Sequence, residues 1–164
     1  MVAIGISGKR NQGKSNVAFA LSSRIKRSTI ISVYDVIKFF YDYRNIEERD
    51  AVAEQIRQVC GNYLVDTLKL RMAMASGKYD VVIIDDIFDS TLMNQIKTGL
   101  NAHIVGVEKV SLHNLPLSVR DNAATGLLGE PDYVVRYTTT YNELLKEIDG
   151  LIAAFKEKGV LAGG

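Results

Sequence analysis

Several residue types are scarce in this 164-residue sequence, which has one cysteine, two histidines, two prolines and no tryptophan. The single cysteine, Cys60, cannot form an internal disulfide or a cysteine-based metal site, so we expect a reducing compartment. His103 and His113 are not spaced as metal ligands. An excess of charge is also absent, because the formal net charge is +1. Composition therefore gives no support for broad binding to nucleic acid.

Long apolar runs are missing too. No stretch reaches the roughly 18 apolar residues of a transmembrane helix, and the start of the sequence has no signal-peptide architecture. We therefore expect a cytoplasmic protein with no membrane partner. Repeats and linkers are not evident, and the length predicts one domain over residues 1–164.

What the sequence does contain is an alternation of short apolar runs with segments of helical period. We predict strands at 2–6, 29–33, 79–85, 103–107 and 133–137, with helices between them, including a long helical segment over 47–76 that bends or splits at Gly61. Strands that alternate with helices predict an α/β fold: a parallel five-stranded sheet covered on both faces, which makes a three-layer sandwich.

The segment GKRNQGKS, residues 8–15, follows the first predicted strand and matches the pattern G-x-x-x-x-G-K-S/T of a P-loop. Gly8 and Gly13 let successive backbone N–H groups turn toward phosphate oxygens. Lys14 can bridge the β- and γ-phosphates, and the Ser15 hydroxyl can bind Mg²⁺. ATP and Mg²⁺ are thus the expected cofactors. The predicted nucleotide-binding set also includes Lys9, Arg10, Asn11, Gln12 and Asn16.

Carboxylates follow two of the predicted strands. Asp85 and Asp86 end the apolar run VVIIDD, and one of them could hold Mg²⁺, although acidic residues also cap helices at such positions. The sequence does not distinguish the two. Asp35 follows the second strand and shares a helix face with Lys38. Asp35 could bind an acceptor hydroxyl or take its proton, or it could cap the helix.

Five segments carry a family resemblance: GKRNQGKS, SVYDVIKFF, IRQVCGNYLVDTL, YDVVIIDDIFD and YVVRYTTTYNELLKEI. In this order they resemble the phage-type deoxynucleoside monophosphate kinases, which are adenylate-kinase-like P-loop enzymes. The resemblance implies transfer of the ATP γ-phosphoryl group to the 5′-phosphate of a deoxynucleotide, in the cytoplasm of a host cell. It also implies an acceptor side at residues 35–76, a short lid at 109–131, and a donor base near Thr138 and Thr139.

Two features depart from that family. An Asp-x-Arg pattern usually ends its third strand, whereas Phe88 stands here where the arginine is expected. Arg120 is the catalytic candidate to supply the missing phosphate contact, with Arg44 and Arg57 as further candidates. The lid segment RDNAATGLL also keeps little of the histidine and glutamate stretch of the family.

Two alternatives stay open. SVYDVIKF also resembles the aspartate-containing stretch of dephospho-coenzyme A kinases, which phosphorylate a hydroxyl. The acceptor could then be a nucleoside, a coenzyme precursor or a hydroxylated base in DNA, and nucleic acid is a partner only in that case. A non-catalytic nucleotide-binding protein or an NTPase is the other alternative. The expected partner is a small-molecule nucleotide substrate, and a homodimer is compatible with the sequence.

Overall fold

A computed structural model describes residues 1–40, 45–60, 62–110, 127–138 and 140–163. Strands and helices alternate along these residues much as the apolar pattern predicts. The elements in chain order are β1 (Val2–Ser7), α1 (Lys14–Arg24), β2 (Ser28–Ser32), α2 (Val33–Phe40), α3 (Ile46–Cys60), α4 (Tyr63–Ala75), β3 (Val81–Ile87), α5 (Ser90–Leu100), β4 (His103–Lys109), β5 (Tyr133–Tyr137) and α6 (Tyr141–Glu157).

The five strands form one parallel sheet in the order β2-β3-β1-β4-β5. This confirms the predicted fold class. The central strand is β1, and the chain passes from β3 to β4 on opposite sides of it. In open parallel sheets, ligands bind in the crevice at the carboxyl ends of the strands where the connections diverge. The segment that follows β1 opens onto this crevice.

Hydrophobic residues on the two faces of the sheet form two separate cores. Ile4 and Ile6 of β1 point to one face and Ala3 to the other, because side chains alternate along a strand. Helices α1 and α6 cover the first face, and α2, α4 and α5 cover the second. The largest fully buried side chains include Phe155 and Leu21 in the first core and Ile84, Ile87, Leu68 and Ile96 in the second.

Some predicted boundaries shift in the structure. Strand β2 ends at Ser32, since the Ser32 hydroxyl accepts a hydrogen bond from the Tyr34 backbone N–H at 3.2 Å and the chain turns into α2. Strand β3 begins and ends two residues later than predicted. Helix α5 begins after Phe88 because Asp89 caps it, accepting from the Leu92 N–H at 2.7 Å.

The long helical segment predicted over 47–76 is present as α3 and α4. The proposed break at Gly61 lies outside the described residues, and so does most of the predicted lid, residues 111–126. Among the helices that the structure describes, none combines the length and apolar character needed to span a membrane.

Candidate active site

The loop between β1 and α1 has the backbone expected of a phosphate-binding loop. Gly13 precedes α1 with φ of 81°, in the left-handed region that glycine adopts easily. No side chain caps the first turn of α1, and that turn contains no acidic residue. The first N–H groups of a helix carry a partial positive charge and lack partners within the helix. This end of α1 is therefore suited to a phosphate group.

Lys14 lies across this loop with only 8% of its surface exposed. Its ammonium donates hydrogen bonds to the carbonyl oxygens of Gly8, at 2.9 Å, and of Lys9, at 3.0 Å. Burial lowers the pKa of Lys14, while the carboxylates of Asp86 and Asp85 oppose this shift. The amine is thus held directly over the backbone groups that would surround a phosphate.

Ser15 and Asp85, two of the three residues predicted to bind magnesium, are hydrogen-bonded to each other. The Ser15 hydroxyl donates to Asp85 Oδ2 at 2.8 Å, and Asp85 is 5% exposed. Burial raises the pKa of Asp85 to about 6, and the nearby charge of Asp86 adds to the shift. Mg²⁺ prefers oxygen ligands and needs only one or two from the protein, because phosphates and waters complete its coordination. These two oxygens fit that requirement.

Asp86 has a different environment from Asp85. The register between β1 and β3 shifts between the pairs Gly5–Ile84 and Ser7–Ile87, and Asp86 has φ of 65° at this irregularity. Such a bulge redirects a side chain. The carboxylate of Asp86 accepts from the Ser32 hydroxyl at 2.7 Å, and its N–H donates to Asp85 Oδ1 at 2.7 Å. The two neighbouring carboxylates therefore serve different places, Asp85 beside Ser15 and Asp86 beside Ser32.

A pocket of about 350 Å³ adjoins the loop at Lys14, and we call it the acceptor pocket. Cationic, acidic and aromatic side chains share its walls. The P-loop contributes Lys9, Arg10, Asn11 and Lys14, the start of α2 and of α3 contributes Tyr34, Arg49 and Asp50, and the end of β3 contributes Asp86 and Phe88.

One wall of the acceptor pocket is a stack of three side chains. The Tyr34 and Phe88 rings lie 5.4 Å apart with an angle of 11° between their planes. The guanidinium carbon of Arg49 lies 3.1 Å from the Tyr34 ring centre, and Arg49 Nε donates to Asp50 Oδ1 at 3.3 Å. Arg49 thus brings a guanidinium into this pocket from α3.

Arg49 is a residue that the sequence prediction missed. It lies in a charged stretch at the start of α3 that resembles an ordinary solvated helix start, and no sequence pattern marks it. The side chains of the three arginines that were predicted to supply the missing phosphate contact are not described by the structure. Arg120 and Arg44 lie outside the described residues, and the side chain of Arg57 is not described either.

The remaining loop residues fix the position of the loop. Arg10 Nη2 donates to Asp50 Oδ2 at 2.9 Å, and Arg10 Nη1 reaches Glu47 Oε1 at 3.4 Å. Gln12 Oε1 accepts from the Lys109 N–H at 3.0 Å. The loop is thus tied to α3 on one side and to the end of β4 on the other.

Asp35 does not join this group. It lies on the exposed side of α2 and is not among the residues that line the acceptor pocket. Its role toward an acceptor stays a prediction, while Asp50 and Asp86 are carboxylates that the structure brings into the pocket.

A second hollow, of about 470 Å³, lies where the donor base is predicted. Tyr137 and Thr140, on either side of the predicted pair, line it together with residues of α1 and α6. Thr138 does not line it; its N–H donates to Glu143 Oε2 at 3.1 Å, and Thr139 lies outside the described residues. The other lining residues include Asn16, Phe19, Lys109 and Tyr141.

Comparison with known proteins gives a fold but no family. No protein-family model matches this sequence, and no curated protein matches it. A candidate kinase from Chloroflexus aurantiacus is similar in structure, with a TM-score of 0.56 and 15% identity over 95% of this chain and 96% of that one. The tunicamycin resistance protein of Deinococcus radiodurans has a TM-score of 0.55 and 16% identity over 93% and 94% of the two chains.

A sugar kinase from a Janibacter species gives a TM-score of 0.53 and 13% identity over 99% of both chains. Identities this low establish the fold alone. Together with the motif at residues 8–15, these likenesses show that the chain has a kinase-like P-loop α/β fold.

Proposed function

We propose that this protein is an ATP-dependent phosphotransferase whose acceptor binds in the acceptor pocket. The observation that carries the proposal is the position of Lys14, which lies over the phosphate loop and also lines the pocket. A group bound in that pocket would adjoin the terminal phosphate of a nucleotide bound over residues 8–15. Proximity of this kind is the main requirement of phosphoryl transfer, because positioning and charge stabilisation supply most of the catalysis.

The chain's own residues divide the work as follows. Lys14 neutralises charge on the phosphates, and Ser15 and Asp85 would hold Mg²⁺. When bound, Mg²⁺ neutralises and orients the phosphate oxygens. The second hollow, which Asn16 and Tyr141 line, accepts the donor base. The predicted lid at residues 109–131 would exclude water, which otherwise competes for the phosphoryl group.

A (deoxy)nucleoside monophosphate is the acceptor that the sequence resemblance implies. Four cationic side chains line the acceptor pocket, against the carboxylates of Asp50 and Asp86. A phosphate acceptor is already a competent nucleophile and chiefly needs cations around it. The surplus of positive charge supports this acceptor class. The four cations are Lys9, Arg10, Lys14 and Arg49.

A hydroxyl acceptor is the second candidate, and Asp86 is the observation that favours it. A hydroxyl gains nucleophilicity when a carboxylate accepts its proton. Asp86 lines the pocket beside Lys14, held by the Ser32 hydroxyl. One of the structural neighbours is a sugar kinase, and sugars are hydroxyl acceptors.

The test is a transfer assay with ATP labelled in its γ-phosphate, against deoxynucleoside monophosphates, nucleosides, sugars and hydroxymethylated DNA. The two acceptor classes give chemically different products. Transfer to a phosphate forms an acid-labile phosphoanhydride, and transfer to a hydroxyl forms an acid-stable phosphoester. Lys14→Met is the inactive control. If the wild-type protein binds ATP and yet labels no acceptor, the phosphotransferase proposal is wrong and a nucleotide-binding role is favoured.

A further inference from the structure

We propose that Arg49 is a catalytic residue that binds the phosphoryl group while it is transferred, and that Tyr34 and Phe88 hold its guanidinium in place for this purpose. The inference rests on the proposed phosphotransferase function and assigns one role within it. It applies to a phosphate acceptor and to a hydroxyl acceptor alike.

The first argument is the location of the charge. Arg49 and Lys14 both line the acceptor pocket, so two cations face the space next to the phosphate loop. Two carboxylates, those of Asp50 and Asp86, stand against four cations on the walls of the pocket, so positive charge is in excess. A phosphoryl group that leaves the loop for the pocket is an anion that this excess charge stabilises.

The second argument is that the guanidinium is held before any ligand arrives. The Arg49 side chain is 13% exposed, its planar group lies on the Tyr34 ring, and Phe88 supports the Tyr34 ring through the stack. The hydrogen bond to Asp50 uses Nε, and a guanidinium has four further N–H donors on its terminal nitrogens. A fixed set of donors stabilises a transition state most effectively because it does not reorganise during the reaction.

The third argument is the support behind Tyr34. Phe88 directly follows β3, and its ring stacks on the tyrosine on which Arg49 lies. The guanidinium is thus linked through two aromatic rings to a strand of the central sheet. No new covalent step is involved. The bond from the γ-phosphorus to the ADP oxygen breaks, its electron pair leaves with ADP, and the bond to the acceptor oxygen forms. The proton of a hydroxyl acceptor passes to the Asp86 carboxylate, any proton on a phosphate acceptor passes to water, and Arg49 only donates hydrogen bonds.

The test compares Arg49→Met and Arg49→Lys with Arg24→Met, a matched control at an exposed arginine on α1 that pairs with Asp149. We expect both Arg49 variants to lower kcat by about 10²-fold to 10³-fold, the usual loss when one transition-state donor is removed. Lysine should not restore activity, because it lacks the planar fork. ADP affinity should stay at the wild-type value. Circular dichroism confirms folding, and Arg49→Lys carries the test if Arg49→Met does not fold.

A second measurement does not require turnover. ADP with magnesium and aluminium fluoride mimics the transition state of phosphoryl transfer. The wild-type protein should therefore bind this mixture more tightly than ADP alone, and the Arg49 variants should lose that advantage in affinity. Tyr34→Leu removes the ring under the guanidinium and should lose part of the advantage, whereas the exposed control Arg24→Met should keep it.

Three results would overturn the role of Arg49: wild-type kcat in both variants, equal losses of affinity for ADP and for the mimic, or a wild-type protein that binds both alike. Failure of the phosphotransferase proposal itself is a separate outcome. Wild type would then label no acceptor, whatever the mimic shows.

Discussion

Replacing Gly13 with alanine measures how closely the phosphate loop packs against the end of β5. Gly13 has φ of 81°, and a Cβ atom at this position would lie 1.9 Å from the Tyr137 hydroxyl oxygen and 3.1 Å from Tyr137 Cζ. The left-handed backbone costs an alanine roughly 1–2 kcal/mol. Forcing atoms into a filled space costs about 1–3 kcal/mol more. We therefore expect the free energy of unfolding to fall by about 2–5 kcal/mol.

Urea denaturation followed by tyrosine fluorescence gives this value, since the sequence has eight tyrosines and no tryptophan. Tyr137→Phe separates the two costs. The Tyr137 hydroxyl is buried and has no hydrogen-bond partner among the residues that the structure describes, so its removal alone should change stability little. In the Tyr137→Phe background the contact at 1.9 Å is gone and the contact with Cζ at 3.1 Å remains, so Gly13→Ala should cost chiefly the backbone part, about 1–2 kcal/mol, and the difference is the coupling energy of a double-mutant cycle.

Gly77→Ala is the control for backbone strain. Gly77 has φ of 84°, but no atom lies within 4 Å of the position that its Cβ would occupy. The Gly77→Ala variant therefore measures the free-energy cost of an alanine in the left-handed region without a steric clash. If Gly13→Ala is no more destabilising than Gly77→Ala, and Tyr137→Phe brings no relief, then the loop does not pack against Tyr137 as described and the reasoning fails.

Three further predictions concern charged residues of the site. Lys14→Met removes a buried charge and keeps the aliphatic stem, so γ-phosphoryl transfer should be lost while urea denaturation shows equal or higher stability; retained transfer would contradict the loop assignment. Burial raises the pKa of Asp85 from 3.8 to about 6. Between these two pH values the folded chain keeps a proton on Asp85 that the unfolded chain has lost. The free energy of unfolding should therefore fall as pH rises from 3.8 to about 6, by up to about 3 kcal/mol, and this dependence should be absent in Asp85→Asn. Asp86→Asn should lower transfer to a hydroxyl acceptor by about 10²-fold or more and leave ATP affinity unchanged, with Asp35→Asn near wild type; a larger loss in Asp35→Asn would return the acceptor role to Asp35.

The sheet could be predicted because its strands are continuous apolar runs that must be buried on both faces. VAIGI, VVIID and HIVGV have no polar face and are too short for buried helices, so a covered parallel sheet was the arrangement that suited them. The phosphate loop was predictable for another reason. Its eight contiguous residues specify the backbone turn, the cation and the metal ligand together, without any contact distant in sequence.

The acceptor side could not be predicted in the same way. The separation of Asp85 from Asp86 depends on a register shift between β1 and β3, which involves residues about 80 positions apart. Arg49 lies in the pocket only because α3 packs beside the start of α2, where Tyr34 offers its ring. A charged helix start in a sequence does not reveal what lies opposite it. Asp35 illustrates the converse, since its position after β2 is suggestive but the residue is exposed and does not line the pocket.

The contacts around the loop differ between the two sides of the site: they are buried on the donor side and exposed on the acceptor side. On the donor side, Lys14 and Asp85 are buried and hydrogen-bonded, and β1 and β3 position both. On the acceptor side, the loop reaches α3 through Arg10, which is 45% exposed and pairs with Asp50 and with Glu47, itself 76% exposed. Exposed ion pairs of this kind contribute little to stability. Binding of an anionic acceptor can therefore rearrange Arg10 at small cost while the donor side keeps its geometry, so that one rigid phosphate loop can serve a pocket that adjusts to its acceptor.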